Sequence, residues 1–262
     1  MKKPKGDYAI QTVINALRLL EAFREEEELG VTELSRRLAL HKNNVFRLLA
    51  TLEQCSYIEQ SPDSERYRLD VRTLELGQAF ARSRTLLRRA QPVLAELAGD
   101  TKESTHLGLM RGFEVVHVAG VASGRLLRTE LDVGSRLPAH CTALGKVLLG
   151  CASKQVREAY DREVVADGGL ERRTSTTIVD RDKFFEHLRT VAVQGFAVDL
   201  EEYEEGLCCA ATPVFDGNGE VVAALSVSGP AFRLSEQLLL REILPALADA
   251  ADRLSRDLGC AT

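Results

Sequence analysis

Residues Val31 to Gln60 read VTELSRRLALHKNNVFRLLATLEQCSYIEQ, and their reading decides the N-terminal fold. Leu34 and Leu38 form one side of a short helix, with Thr32 as the expected N-cap and Val31 as an apolar staple before it. The Leu40-His41 step is a turn. A second helix starts near Lys42, where Val45, Leu48, Leu49 and Leu52 recur at i, i+3, i+4 and i+7 and make a buried stripe. The opposite stripe carries Asn43, Arg47, Ala50, Thr51 and Gln54, flanked by Asn44 and Phe46, small or polar groups suited to base edges and phosphates. Tyr57-Ile58 and Tyr67-Arg68-Leu69 then read as two short strands around the turn-rich SPDSE. Helix, turn, helix and hairpin together predict a winged helix-turn-helix.

Charge tests that reading. The whole chain carries a formal net charge of −5, which argues against indiscriminate coating of nucleic acid. A specific reader needs only a local basic face. Residues 32–50 hold Glu33 against Arg36, Arg37, Lys42 and Arg47, a surplus of three positive charges. Lys42 and Arg36 are placed to touch phosphates, which position a protein on DNA without specifying sequence. Asn43 and Asn44 admit two readings: polar residues capping a helix start, or, for Asn43, an outward amide beside Arg47 that pairs with adenine. The wing residues Ser64 and Arg66 either reach the minor groove or sit on a solvated turn.

At 262 residues with 45% hydrophobic content, the chain can bury a proper core in one large or two ordinary domains. MKKPKGDYAI has the positive start of a signal peptide without its apolar run, and no stretch reaches the ~18 apolar residues of a membrane span. A cytoplasmic protein with no membrane partner is expected. Cys55, Cys141, Cys151, Cys208, Cys209 and Cys260 are scattered without C-x-x-C or His at zinc spacing, so no metal and no cofactor is expected. On a strand Cys208 and Cys209 point to opposite faces.

Before the quoted stretch, Ile10, Val13, Ile14, Leu17 and Leu20 give a first helix. After it, Thr73 to about Ala98 is a Leu- and Arg-rich connector, expected to kink or break at Gln91-Pro92, and its ARSRTLLRRA portion holds Arg82, Arg84, Arg88 and Arg89. From Thr105, THLGLM, EVVHVAGV and RLLRTELDVG read as strands. Helices are expected at Thr142–Cys151, around Ser153–Tyr160 and at Asp180–Gln194. Strands return in GFAVDL, LCCAATPVF and EVVAALSVSG, the last two joined by DGNG, and a helix from Leu234 to Leu258 closes the chain. Strands and helices segregate in blocks, which predicts an α+β domain. In ALSVSG, Ser226 and Ser228 share one side and Leu225 and Val227 the other, so one side can be core and the other pocket.

These motifs, in this order, resemble the IclR-type transcriptional regulators of bacteria over nearly the whole length. IQTVINALRLLEAF is similar to the family's first helix, the opening stretch to its helix-turn-helix and ERYRL to the wing's return strand. RLPAHCTALGKVLL, GFAVDLEEYEEGLCCAATPVFD and ALSVSGP resemble the signature stretches of its effector domain. The resemblance implies an α+β protein: a winged helix-turn-helix over residues 8–70, a linker helix over 71–100 and a GAF-like effector-binding domain over 101–262. It implies a homodimer or homotetramer, a dimer of dimers, that binds double-stranded operator DNA and regulates a catabolic operon, repression being the commoner mode. Its DNA contacts would come from Arg36, Lys42, Asn43, Asn44, Phe46, Arg47, Thr51 and Arg66. Matched residue by residue, its effector ligands fall on Ala143, Leu144, Asp199, Cys209, Ser226 and Ser228. His41, Asn43-Asn44 and Phe46 stand where the family often has Pro, Ser-Thr and His, and Asn15 where it usually has Arg, which implies an operator of its own. Leu144 replaces an alanine of some glyoxylate-responsive relatives and implies a pocket shaped for another ligand.

The helix start after Pro138-Ala139-His140 offers backbone N–H groups as a seat for a small carboxylic acid, with no lysine nearby. Asp199 is then expected to take a hydroxyl or amine hydrogen at the ligand's other end. Two other classes compete. A thiolate at Cys141 beside His140, or at Cys209 with Asp199, would make a thiol-dependent enzyme, but neighbours at a helix start do not face each other and no orienting group accompanies them. A small-molecule sensor without DNA binding is disfavoured by the intact helix-turn-helix. No catalytic residue is assigned.

Overall fold

The computed structural model describes residues 9–24, 26–83, 85–129 and 132–260, with the backbone alone over 81–83. The domain start at residue 8, Arg84 and the side chain of Arg82 lie outside the described residues. The chain divides into two compact units, residues 1–83 and 84–262.

The first unit runs α1 (Gln11–Glu21), a 3-10 turn (Ala22–Arg24), α2 (Val31–Leu38), α3 (Lys42–Gln54), β1 (Ile58–Gln60), β2 (Tyr67–Leu69) and α4 (Val71–Ser83). Its core joins Leu19, Phe23 and Leu29 to Leu34 and Leu38 of α2, to Val45, Leu48, Leu49 and Leu52 of α3, and to Ile58 and Tyr67 of the hairpin. The stripe read from α3 is therefore the buried one. β1 and β2 pair antiparallel with Ile58 opposite Leu69, and Leu29 bridges to Tyr67, tying the wing to the helices. Thr32 is not the cap of α2: the helix begins one residue earlier, on extended Gly30, whose carbonyl takes the N–H of Leu34. Ala39, left-handed at φ 54°, ends α2 and turns the chain toward α3. Ile10 just before α1, Val13 and Leu17 on α1, and Val71, Leu74 and Leu76 of α4 remain exposed.

The second unit runs α5 (Thr85–Thr101), β3 (Ser104–Arg111), β4 (Glu114–Val121), β5 (Arg136–Pro138), α6 (Ala143–Gly150), α7 (Lys154–Tyr160), a π turn (Asp161–Val165) and α8 (Ala166–Gly168). It continues with α9 (Arg181–Gln194), β6 (Ala197–Leu200), β7 (Leu207–Phe215), β8 (Val221–Pro230), α10 (Glu236–Leu238), a second π turn (Leu239–Ile243) and α11 (Leu244–Asp257). One antiparallel sheet in the order β5-β4-β3-β8-β7-β6 divides it. On one face α5 and α11 pack over Leu107, Cys208, Leu225 and Val227. On the other, α6 is buried along its whole length beneath α9. Cys208 and Cys209 take opposite faces, as strand alternation requires. The whole is the α+β arrangement expected.

The connector read as residues 71–100 divides between the units: α4 belongs to the first, while Leu87, Ala90, Val93, Leu94 and Leu97 of α5 enter the core of the second. α5 also runs through Pro92 without a break. Pro92 and the preceding Arg88 lie on the exposed side, where water can take the carbonyl that proline leaves unpaired. RLLRTELDVG is not a strand. Its described part, residues 125–129 and 132–134, forms no strand: Arg233 donates to Leu127 O at 2.7 Å, Ser104 to Thr129 O at 2.6 Å, and the Gly134 N–H to His117 O at 2.7 Å.

Candidate DNA-facing surface and ligand pocket

On α3 the ring of His41 caps the helix, its Nδ1 accepting the Asn43 N–H at 3.3 Å. Asn43 is thus not the cap, and its exposed amide is left to the surface. Lys42, Asn44, Arg47, Thr51 and Phe46, the last 57% exposed, share the uncovered side of α3, and Arg36 is exposed on α2. Among the described residues Arg36, Lys42 and Arg47 have no acidic partner within ion-pair distance, whereas Arg37 is held by Glu26 and Glu33. Asn44, Arg47 and Thr51 line a shallow depression with Thr12 and Asn15 of α1. Thr51 donates to Arg47 O at 2.8 Å, so its proton is spent on its own helix.

Arg66 departs from the expectation of a groove-reaching wing. Its guanidinium donates to Glu28 O and Glu33 Oε2, each at 2.9 Å, and Ser64 donates to Glu28 Oε2 at 2.6 Å. Both wing residues are drawn back onto their own unit because acids of the Glu26–Glu28 run lie beside them.

In the second unit, α6 and the sheet enclose a cavity of about 310 Å3. Its walls include all of Ala143, Leu144, Asp199, Cys209, Ser226 and Ser228, brought together from one helix and three strands. Register explains it: Asp199 pairs with Cys209, Cys209 with Ser228, and Ser226 with His106, so these side chains cross the sheet in rows on one face. At the start of α6, Thr142 accepts the Gly145 N–H at 3.2 Å and donates to Pro138 O at 2.9 Å. The N–H groups of Ala143 and Leu144, in the first turn, have no intrahelical acceptor. A Cβ on Gly145 would stand 2.2 Å from Ala139 O, so only glycine lets this loop fold tightly against the helix start.

Asp199 is buried, and its Oδ1 accepts the Glu202 N–H at 2.7 Å. Burial pushes its carboxyl up to about 7, against the pull of Lys146. A lysine is therefore near after all: Lys146, one turn into α6, is fully buried and donates to Glu202. The signal was present in ALGKVLL, but helical spacing cannot say that a lysine turns inward. The wall after Asp199 is pinned by Thr174 on Glu201 O and Thr177 on Glu202 O, both 2.7 Å, and Arg173 stacks on Tyr203 at 4.5 Å.

The sequence reading missed His106, His117, Thr129, Thr142 and Tyr203 in these walls. His106 Nε2 lies 3.0 Å from Ser228 Oγ, which meets Thr129 Oγ1 at 2.7 Å. Burial lowers His106 to about 3 and His117 to about 4, so both rings are neutral at pH 7. Cys141 is pushed up to about 12 and Cys209 well above its ordinary value, chiefly by burial. Neither is a thiolate, and the thiol nucleophile loses its chemical basis.

Residues 12–62 match the IclR helix-turn-helix domain and residues 78–256 the bacterial transcriptional regulator IclR C-terminal domain. The chain belongs to the IclR-type bacterial transcriptional regulators. Members of this family are DNA-binding regulators, not enzymes. The chain is 36% identical over 255 residues to the HTH-type transcriptional regulator KdgR of Escherichia coli strain K12, covering 96% of this chain and 94% of that one. It is 31% identical to the HTH-type transcriptional repressor AllR of Salmonella typhimurium, covering 97% and 91%. An IclR homolog from Microbacterium hydrocarbonoxydans, in complex with 4-hydroxybenzoate, shares the fold at a TM-score of 0.81 and 24% identity, over 94% of this chain and 98% of that one. No helix among the described residues is long and apolar enough to cross a membrane.

Proposed function

We propose that this IclR-type regulator is a cytoplasmic repressor of a catabolic operon, released or retuned when a small organic acid enters the cavity beneath α6. The observation that carries the reading is the convergence of Ala143, Leu144, Asp199, Cys209, Ser226 and Ser228 on that one cavity, in a chain that also presents Lys42, Asn43 and Arg47 on an uncovered helix. The acid's carboxylate sits on the free N–H groups of Ala143 and Leu144, where the helix dipole favours negative charge. Asp199 stands at the other end of the ligand and, protonated or ionised near pH 7, meets a hydroxyl or amine there. A homodimer, or a pair of them, is supported by the exposed apolar residues of α1 and α4, which are a cost in water to a lone chain. A repressor named as such, AllR, is among the relatives.

Footprinting of the DNA upstream of this chain's own gene tests the reading. Protection that weakens steeply with salt and is altered by one of a panel of short-chain and aromatic acids is the expected result. Protection indifferent to every acid, or its absence, would sink it. Loss of protection on adding the acid marks a repressor; gain marks an activator.

A further inference from the structure

His117 lies 2% exposed in the wall of the cavity, and among the described residues neither of its ring nitrogens has a hydrogen-bond partner. Buried polar atoms are nearly always bonded, and one left without a partner costs about 1–3 kcal/mol. The ring is held in place nonetheless. β3 and β4 slip by one residue between Leu107 and Gly108, so that Ala119 pairs with Leu107 and His117 with Gly108, leaving Val118 as a bulge. Without that bulge, strand alternation would send His117 to the opposite face from Gly120. Two bare positions make room. Gly120 faces His106, where a Cβ would stand 3.1 Å from its Nδ1, and Gly108 faces His117 with Leu144 packed over it. His106 is fixed by Ser228 and meets His117 edge to face at 5.2 Å between ring centroids.

The chemistry that completes this site follows from the ring. A neutral imidazole offers one N–H and one lone pair. A carboxylate could meet only the N–H, and an ammonium only the lone pair. A hydroxyl can meet either, accepting from one nitrogen or donating to the other. A carboxylate also has a better seat on the N–H groups of Ala143 and Leu144, away from an uncharged ring.

We propose that His117, set into the pocket by the Val118 bulge and backed by His106, reads a hydroxyl group of the effector, which is therefore a hydroxylated carboxylic acid rather than a plain alkyl or aryl acid. This rests on the cavity being the effector pocket. The carbon chain of the effector lies along Leu144, and its hydroxyl supplies a bond that no described residue gives the His117 ring.

The test is titration calorimetry of the full chain with acids matched in carbon skeleton: 4-hydroxybenzoate against benzoate, gluconate against hexanoate, and 3-hydroxybutyrate against butyrate. In at least one pair the hydroxy acid binds about 10- to 100-fold more tightly than its partner. His117→Phe and the smaller His117→Leu bring that ratio close to one and leave the plain acid's affinity within about threefold, while His117→Gln, with a donor and an acceptor, restores part of the preference. Equal binding within every pair, or a preference that survives in both apolar variants, overturns the role of His117 and leaves the pocket reading intact. Failure of every acid to bind, or binding undisturbed by Ser226→Trp in the cavity wall, overturns the pocket reading and this inference together.

Discussion

α3 and α6 are both short helices with polar side chains, and they treat them in opposite ways. On α3, the side chains of Lys42, Asn43 and Arg47 are exposed and have no partner among the described residues, a face on which DNA phosphates and bases could replace water at little cost. Around α6, Lys146, Asp199, Thr142, Ser226 and Ser228 are buried, and Lys146, Asp199, Thr142 and Ser228 are hydrogen-bonded within their own unit. In the proposed reading the difference is that between a surface that exchanges with a long polyanion and a pocket ordered in advance for a small molecule. His117 stands apart: among the described residues both of its buried ring nitrogens lack a partner, whereas His106 keeps its bond to Ser228 and lacks one at Nδ1 alone.

The largest break in this comparison should come from Lys146→Met. It strands Glu202 in the interior, and removing one partner of a buried pair typically costs about 3–5 kcal/mol. Urea unfolding followed by a probe in the second unit should show that loss; a change under about 1 kcal/mol would mean that the pair is hydrated. On the open face the same kind of truncation should leave stability alone. Arg47→Ala should weaken binding to all DNA sequences and reduce the salt slope by about one, read by fluorescence anisotropy over a salt series. Asn43→Ala should cost about 1–3 kcal/mol on the preferred operator and little on variants at one base position. A uniform loss across operators would assign Asn43 to the backbone instead.

A subtler effect concerns pH. Asp199, raised to about 7 in the fold, holds a proton that the unfolded chain has released above about pH 4. Its contribution to stability therefore declines as pH rises through this window and levels off above 7. Asp199→Asn has no proton to lose, so the variant should gain on the wild type between pH 5 and about 7.5 and stay level beyond, read as denaturant midpoints across the series. Parallel curves would mean that Asp199 is ionised throughout. The smallest effect is expected at Arg66→Ala. Its ion pair with Glu33 is partly exposed and worth up to about 1 kcal/mol beside the bond to Glu28 O, and DNA binding should suffer less than in Arg47→Ala. A larger loss of binding would show that the wing swings out to meet DNA.

Much of this was legible without coordinates. Val45, Leu48, Leu49 and Leu52 declared the buried side of α3 because a helix repeats every 3.6 residues whatever its surroundings. Ser226 and Ser228 declared a shared face of β8 for the same local reason, with period two. Other positions misled. Thr32 looked like a cap because capping residues are recognised by type, but the extended backbone of Gly30 set the helix start. Pro92 looked like a break, yet it falls where water can serve the freed carbonyl. RLLRTELDVG read as β-rich, but its described residues form no strand and are held by Arg233, by Ser104 and by a single Gly134 N–H bond to His117 O.

By itself the sequence determined the family, the helix-turn-helix and the six residues that meet at the cavity, because those follow from local periodicity and long ordered motifs. Tertiary structure alone decided that Lys146 turns inward to Glu202, that Arg66 folds back on Glu33, and that His117 enters the pocket. Each of these depends on groups 33 to 56 residues away or, for His117, on a slip in strand register that no single strand encodes.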